Sequence, residues 1–212
     1  MNKKLISNSN YVLRKVLNNQ ENIPIVKDLI EAILNINIEQ ININSYLKKR
    51  KKYLPSEDKF GVIDVRIKTK EKEEMNVGIQ FIDGIYYIKT KMLLYYSQIH
   101  FNQIEYNDNR KIAKTVTINF IENSFSSIPK YKEIIKIKTK KFNNIIKEVE
   151  MYLIELSKFR IKEIDKNSKE EDWIAYIKGD TKENIEKIIN KNEKIYLLDK
   201  KINEFWNNEK ME

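Results

Sequence analysis

Two segments in which apolar residues alternate with others, 60–68 (FGVIDVRIK) and 75–82 (MNVGIQFI), constrain the fold of this chain most strongly. A period of two is typical of β-strands, because successive side chains point to opposite faces of a sheet. The polar segment between them, TKEKEE, predicts a turn. Together the segments predict a β-hairpin with one apolar face and one mixed face.

The position of the turn also predicts which residues face each other. Antiparallel partners keep a constant sum of residue numbers, so a turn centred near Glu71 places Asp64 directly opposite Gly78. Gln80 then lies on the same side of the hairpin, two residues further along. Asp64, Gly78 and Gln80 are therefore predicted to line one face.

The remaining patterns predict an α/β fold in which a mixed sheet is flanked by helices. A long amphipathic, aromatic-rich helix is predicted directly after the hairpin, and the last part of the chain has a helical pattern. The segment 148–156 fits a strand and a helix equally well. Helices are predicted at 10–21, 25–35, 85–104 and from 168 onward, and strands at 36–46, 113–121 and 132–139.

Composition excludes several classes of protein. Gly (4) and Pro (3) are scarce, which favours long regular elements over a turn-rich sandwich. The chain has no Cys, which excludes disulfides, thiolate nucleophiles and cysteine zinc sites. Neither a signal sequence nor a run of about 20 apolar residues is visible, so we expect a cytoplasmic protein with no membrane partner.

The positive charge of the chain indicates a polyanionic partner. The net charge is +9, and a cationic run at Lys48, Lys49, Arg50, Lys51 and Lys52 precedes the strand that carries Asp64. Such residues bind phosphates by displacing condensed counterions. The run is interpreted as a solvated charged loop, and its position before the strand that carries Asp64 suits contact with phosphates, together with Arg66. An alternative is that part of the lysine excess reflects the Lys-, Asn- and Ile-rich composition.

The polar face of the hairpin suits metal-assisted phosphodiester cleavage only in part. Such cleavage needs at least two oxygen ligands at a fixed separation to hold Mg²⁺. One strand supplies Asp64, but the position opposite it is Gly78, which has no ligand to offer. Gln80 is neutral and can orient water or phosphate only by hydrogen bonding.

The order of several motifs resembles the PD-(D/E)XK nuclease family transposases, which include the recombination-promoting nucleases. Each motif is weak, but their order and spacing over about residues 7–178 are much more specific. The matching segments are Asn10–Arg14, Leu29–Asn35, Ile63–Arg66, Val77–Gln80, Leu94–Ser97, Lys114–Phe120, Ile154–Phe159 and Trp173.

The resemblance implies a restriction-endonuclease-like fold, DNA as the partner, Mg²⁺ as the cofactor, Asp64 as a metal ligand and Gln80 as a catalytic residue. Two positions depart from the family pattern: Gly78 replaces the strand glutamate, and Asn10 replaces an acid of the first helix. Other groups that could restore the metal site are Glu73, Glu74, Asp83 and the carbonyl oxygen of Asn76.

Three hypotheses follow from the resemblance and its departures. The first is a DNA endonuclease or transposase-like protein of mobile-element origin whose catalysis is impaired at Gly78. The second is a non-catalytic module that keeps the nuclease fold to bind DNA or a protein. The third is that Gly78 is an introduced substitution. We expect a core at 1–165, a helical extension at 166–212, and a homodimer as a further form of assembly.

Two other features are interpreted as structural. His100, the single histidine, has no second His or Cys to share a metal, so packing on its helix is the simpler interpretation. The aromatic residues of the same helix are interpreted as core residues and, alternatively, as surfaces that stack on bases. They are Tyr86, Tyr87, Tyr95, Tyr96 and Phe101.

Overall fold

The described residues form a six-stranded mixed β-sheet together with α-helices, and the predicted mixed sheet with helices is confirmed. This computed structural model describes residues 11–43, 62–82, 87–105, 112–138, 145–161, 163, 166 and 168–209. The strands are β1 (Ile38–Ile43), β2 (Val62–Thr69), β3 (Glu74–Ile82), β4 (Lys114–Ile121), β5 (Lys132–Lys138) and β6 (Ile145–Glu155). The helices are α1 (11–17), α2 (Ile23–Leu34), α3 (Ile88–Glu105), α4 (Lys169–Lys178), α5 (Lys182–Lys191) and α6 (Glu193–Glu209).

The predicted hairpin is formed by β2 and β3, and its register places Asp64 opposite Gly78 as expected. The turn closes with a hydrogen bond of 2.9 Å from the Thr69 N–H to the Glu73 carbonyl. Lys72 adopts a left-handed conformation with φ of 66°, which gives the three-residue connection its sharp bend. The hairpin register could therefore be predicted from alternation and turn position alone.

The strands lie in the order β1, β2, β3, β4, β6, β5. The pairs β3–β4 and β4–β6 are parallel, whereas β2–β3 and β5–β6 are antiparallel. The ambiguous segment 148–156 belongs to β6 up to Glu155, because its backbone pairs with β4 on one side and β5 on the other. The pairing on both sides shows that this segment is a strand, a choice between strand and helix that its sequence pattern alone left open.

Cα packing divides the chain into two compact units, one of residues 1–38 and 159–212 and one of residues 39–158. The first unit is helical. In it, α4 begins with a capping box between Ser168 and Glu171. The fully buried Trp173 donates its Nε1–H to Asp28 of α2 at 2.9 Å. The predicted division at residue 165 into core and extension stays a prediction.

The second unit holds the sheet, and α3 packs on one of its faces. The inner side of α3 is buried and has helical spacing, with Ile88, Met92, Tyr95, Ile99 and Gln103. Leu93, Leu94 and Phe101 are exposed on the outer side. The expectation that the aromatic residues of this helix form core is thus right for Tyr95 and wrong for Tyr87 and Phe101, which are exposed. Tyr86 lies outside the described residues.

The first helix ends earlier than predicted. It ends at residue 17 rather than 21, and a 3₁₀ turn at Gln20–Asn22 follows it. The side chain of Asn19 caps this turn by accepting from the Glu21 N–H, which explains the break. The strand predicted at 36–46 is described only as β1.

None of the described helices is long and apolar enough to cross a membrane.

Candidate active site

The sheet face under α3 is polar and buried at the same time. Cross-strand rows place Asp64 beside Gly78 and Thr117, Gln80 beside Asn119, and Asn76 beside Thr115. These polar side chains are at most 6% exposed. The opposite face is apolar, with Phe81 and Phe120 stacked at 5.3 Å. The sequence predicted the two faces of the hairpin, but not that α3 would cover the polar one.

Asp64 lies on this polar face, and Tyr95 is its neighbour from α3. Burial and, to a smaller extent, the charge of Asp64 raise the pKa of Tyr95 well above its usual value. Tyr95 therefore stays protonated, and its hydroxyl donates to the Ile63 carbonyl at 3.2 Å. The tyrosine is fixed between α3 and the strand that carries Asp64.

The space in front of Gly78 is filled by two side chains of α3. A Cβ atom at position 78 would lie 2.6 Å from Tyr95 Oη and 2.9 Å from Tyr95 Cζ, and would overlap Ile99 Cδ1. Cβ atoms essentially never approach other heavy atoms closer than 3.0 Å. A longer side chain at the position opposite Asp64 would therefore require the ends of the Tyr95 and Ile99 side chains to shift.

Gln80 and Asn76 lie on β3 on either side of Gly78. The Oε1 atom of Gln80 and the Oδ1 atom of Asn76 are buried without a hydrogen-bond partner. Asn119 has a similar buried Oδ1, while its Nδ2 donates to the Tyr152 carbonyl at 3.1 Å. Buried acceptors normally meet a donor, so these oxygens are the chemically unusual groups of this face.

Two of the three acids proposed as substitutes for the missing glutamate, Glu73 and Glu74, form ion pairs away from Gly78. Glu74 pairs with Arg66 at 2.7 Å and lies four residues from Gly78 along β3, which is roughly 13 Å at the rise of a strand. Glu73 is 3.8 Å from Lys114. Asp83 lies outside the described residues.

These donors do not fit a metal site built on two carboxylates. The positions that face and flank Asp64 across the hairpin are Gly78, Asn76 and Gln80, which offer neutral amide oxygens at most. Within the described parts of the chain, no group of three or more His, Cys, Asp or Glu residues is arranged to hold a metal.

The residues predicted to bind nucleic acid are described only in part. Arg66 lies on the Asp64 face, is partly exposed, and is engaged by Glu74. Lys48, Lys49, Arg50, Lys51 and Lys52 lie outside the described residues, as does Asn10.

His100 packs on its helix, as expected. Its Nδ1 atom is 2.9 Å from Thr115 Oγ1, and its ring stacks on Tyr96 at 5.7 Å. Gln103, one turn further along α3, donates a hydrogen bond to the Ala113 carbonyl and accepts one from the Ala113 N–H. These contacts fix the C-terminal half of α3 on the sheet.

A second polar cluster, which we call the loop clamp, joins Glu155, Lys158 and Ser126. Glu155 is 2% exposed and accepts from the Phe125 N–H at 2.8 Å and the Ser126 hydroxyl at 2.5 Å. Lys158 Nζ is 2.8 Å from Glu155 and donates to the carbonyls of Ser126 and Ile128. The clamp thus holds the connection between β4 and β5. The sequence motif at 154–159 contained both charges, but nothing in it identified their partners.

The loop clamp should make stability sensitive to acid. Burial raises the pKa of Glu155, but hydrogen bonds from Lys158, Ser126 and two backbone N–H groups outweigh it, so the pKa lies below its usual value. Its stabilising effect is full above the unfolded pKa of about 4.3 and is lost as the pH falls through the folded pKa. Urea midpoints measured from pH 7 to pH 3 should fall more steeply in the wild type than in Glu155→Gln. Parallel curves would contradict this assignment.

The fold and the Asp64 face together define an α/β protein of the restriction-endonuclease-like class. A family model described as PD-(D/E)XK nuclease family transposase matches residues 8–212. The chain therefore belongs to the PD-(D/E)XK nuclease family transposases. No curated protein and no solved structure matches the chain.

Proposed function

We propose that this protein binds DNA through the nuclease fold of its family and has lost most or all of the metal-dependent cleavage associated with that fold. Membership of a nuclease and transposase family supports DNA as the partner, and the net charge of +9 agrees with a polyanion. A mobile-element origin and a cytoplasmic location are also part of the proposal, and the same membership supports them.

The observation that carries the proposed loss is the filled space in front of Gly78. Two carboxylates opposite each other would neutralise and orient a metal ion, whereas Asp64 alone leaves such an ion weakly held. Tyr95 and Ile99 occupy the place into which the second side chain would extend. The first and second hypotheses from the sequence thus converge on a DNA-binding protein with impaired catalysis.

The groups proposed to contact phosphates are Lys48–Lys52 and Arg66. Arg66 can exchange its contact with Glu74 for a phosphate, because this ion pair is exposed and exposed ion pairs are weak. Assembly as a homodimer is also part of the proposal, supported by the exposed Leu93, Leu94 and Phe101 of α3.

DNA binding can be tested by fluorescence anisotropy of a labelled duplex over a range of salt concentrations. We expect a steep decrease of affinity with salt, with a slope of about −0.9 for each phosphate contacted. Changing Lys48–Lys52 to glutamine should weaken binding at least about tenfold and make the slope shallower by about 3 to 5.

A matched control removes the same number of charges from the C-terminal helices. This variant should keep most of the affinity, and equal losses in both variants would show that only net charge matters. Absence of salt-dependent binding in the wild type would refute the proposed function. The control residues are Lys182, Lys187, Lys194, Lys200 and Lys201, each changed to glutamine.

A further inference from the structure

The outer side of α3 carries a continuous line of uncharged residues, here called the outer stripe. Leu93, Leu94 and Phe101 are between 50% and 57% exposed there, although each is a large apolar side chain. A contiguous apolar patch marks an interaction surface, whereas single exposed apolar residues do not. The outer stripe consists of Thr90, Leu93, Leu94, Ser97 and Phe101, which are all exposed.

We infer that the outer stripe is an interface between two copies of this chain, in which the two α3 helices pack antiparallel about a two-fold axis. The axis passes at the height of residues 95 and 96. The inference rests on the homodimer that is part of the proposed function, and it assigns that homodimer its contacts and its geometry.

Large and small residues alternate along the outer stripe with the spacing that such packing needs. Leu94 and Phe101 are seven residues apart, and so are the smaller Thr90 and Ser97. Seven residues make almost two helical turns, so the members of each pair lie above one another on the helix. In the antiparallel arrangement Leu94 faces Ser97 of the second copy, and Phe101 faces Thr90 of the second copy. Every large side chain therefore meets a small one.

This self-complementarity favours a second copy of the chain as the occupant. An interface with two-fold symmetry uses the same patch twice, so the patch has to fit itself. A parallel pair of helices would instead place Leu94 against Leu94 and Phe101 against Phe101, and would leave gaps between the facing copies of Thr90 and Ser97. Side chains that interdigitate at native density stabilise a helix pair best.

The charges around the outer stripe also favour antiparallel packing. None of its five residues is charged, so pairing buries no ionised group. Lys89 and Lys91 lie in the first turn of α3, where the helix dipole is already positive. Antiparallel packing places these lysines beside the negative C-terminal half of the other helix, whereas parallel packing would bring four lysines together.

The outer stripe keeps its orientation because the inner side of α3 is fixed to the sheet. Tyr95 donates to the Ile63 carbonyl at 3.2 Å, and Gln103 is hydrogen-bonded to Ala113. The contact from residue 90 to residue 101 spans roughly 17 Å of helix. This length is small for a specific interface, so we expect a dissociation constant of about 10–100 µM.

Sedimentation velocity of the full chain without DNA measures this association. The mass should rise from 25.5 kDa towards twice that value as the protein concentration increases from about 1 to about 300 µM. Ser97→Glu places a charge against Leu94 of the second copy and should weaken association at least about tenfold. A wild type that stays monomeric over the whole range would overturn the inference, and another segment of the chain or a different protein would then cover the outer stripe.

A change of side-chain size tests the antiparallel geometry itself. Ser97→Leu makes the outer stripe more apolar, yet it should weaken association about tenfold, because two leucines would then meet in each contact. The exchange Leu94→Ser/Ser97→Leu restores one large and one small side chain in each contact, and should return the dissociation constant to within about threefold of the wild type. Tighter association of Ser97→Leu, which a parallel or non-specific apolar contact predicts, would overturn the inference.

A matched control adds the same leucine to an exposed position of another helix. Asn190→Leu on α5 should leave association unchanged, and circular dichroism shows whether each variant is folded. Because these measurements contain no DNA, a failure to associate would remove the homodimer and leave DNA binding to the anisotropy titration. Absence of salt-dependent DNA binding would refute the proposed function and leave the sedimentation result intact.

Discussion

Gly78→Glu, made alone, is expected to destabilise the protein by about 3 kcal/mol or more and to leave metal-dependent DNA cleavage undetected. The new side chain would collide with Tyr95 and Ile99, both buried, and would carry a charge into the interior beside Asp64. Two facing carboxylates without a bound cation repel each other. Urea denaturation gives the loss of stability, and nicking of supercoiled plasmid with Mn²⁺ gives the activity.

Ser97→Glu is a suitable control, since it adds the same side chain to the exposed side of α3 and should change stability by no more than about 0.5 kcal/mol. If Gly78→Glu were as stable as Ser97→Glu and cut plasmid, position 78 would be open and the account of this site would be wrong. Such a result would agree with the hypothesis that Gly78 was introduced to trap an inactive form.

Lys158→Met is expected to cost about 3–5 kcal/mol, the largest effect that we predict for a residue away from the Asp64 face. The substitution leaves the buried Glu155 without its ion-pair partner and removes the donor to the carbonyls of Ser126 and Ile128. Methionine keeps most of the side-chain volume, so the cost reports the charge and the hydrogen bonds rather than a cavity. Urea denaturation at pH 7 measures it.

The chain supplies a close control for this substitution. Lys166 pairs with Glu163 at the same spacing along the sequence, but both side chains are more than half exposed. Lys166→Met should therefore change stability by less than about 1 kcal/mol, as is typical of exposed ion pairs. Similar losses for the two variants would show that the loop clamp has no special role.

The hairpin was predictable because its determinants are local. Alternation fixes which side chains share a face, and the position of the polar turn fixes the register, so the pairing of Asp64 with Gly78 followed from residues 60–82 alone. The order of motifs along the chain then led to the family, which a match over residues 8–212 confirms.

The contents of the site were less predictable because they depend on packing between distant segments. The pair Tyr95-Tyr96 is visible in the sequence, but only the position of α3 on the sheet shows that Tyr95 faces Gly78. Likewise, the sequence shows Glu155 and Lys158 only as a pair of opposite charges. Their contacts with the connection at 125–128 become visible only in the fold. Helix-on-sheet packing is decided by the whole interior and not by any one segment.

The interpretation of Gly78 changes for the same reason. In the sequence it is the position of a missing ligand, whose loss one substitution could reverse. In the fold it is a position that lies against the side chains of Tyr95 and Ile99, so that a new side chain there would displace them. Glu73 and Glu74, which could have supplied the missing charge, are instead paired with Lys114 and Arg66.

The most direct test of the central claim is a nicking assay in which DNA binding is followed in the same samples. The wild type and Asp64→Asn are incubated with supercoiled plasmid and Mg²⁺ or Mn²⁺ at protein concentrations that saturate the DNA. We predict that both proteins bind the plasmid and that the wild type nicks it no faster than Asp64→Asn. Metal-dependent nicking by the wild type that Asp64→Asn abolishes would contradict the account.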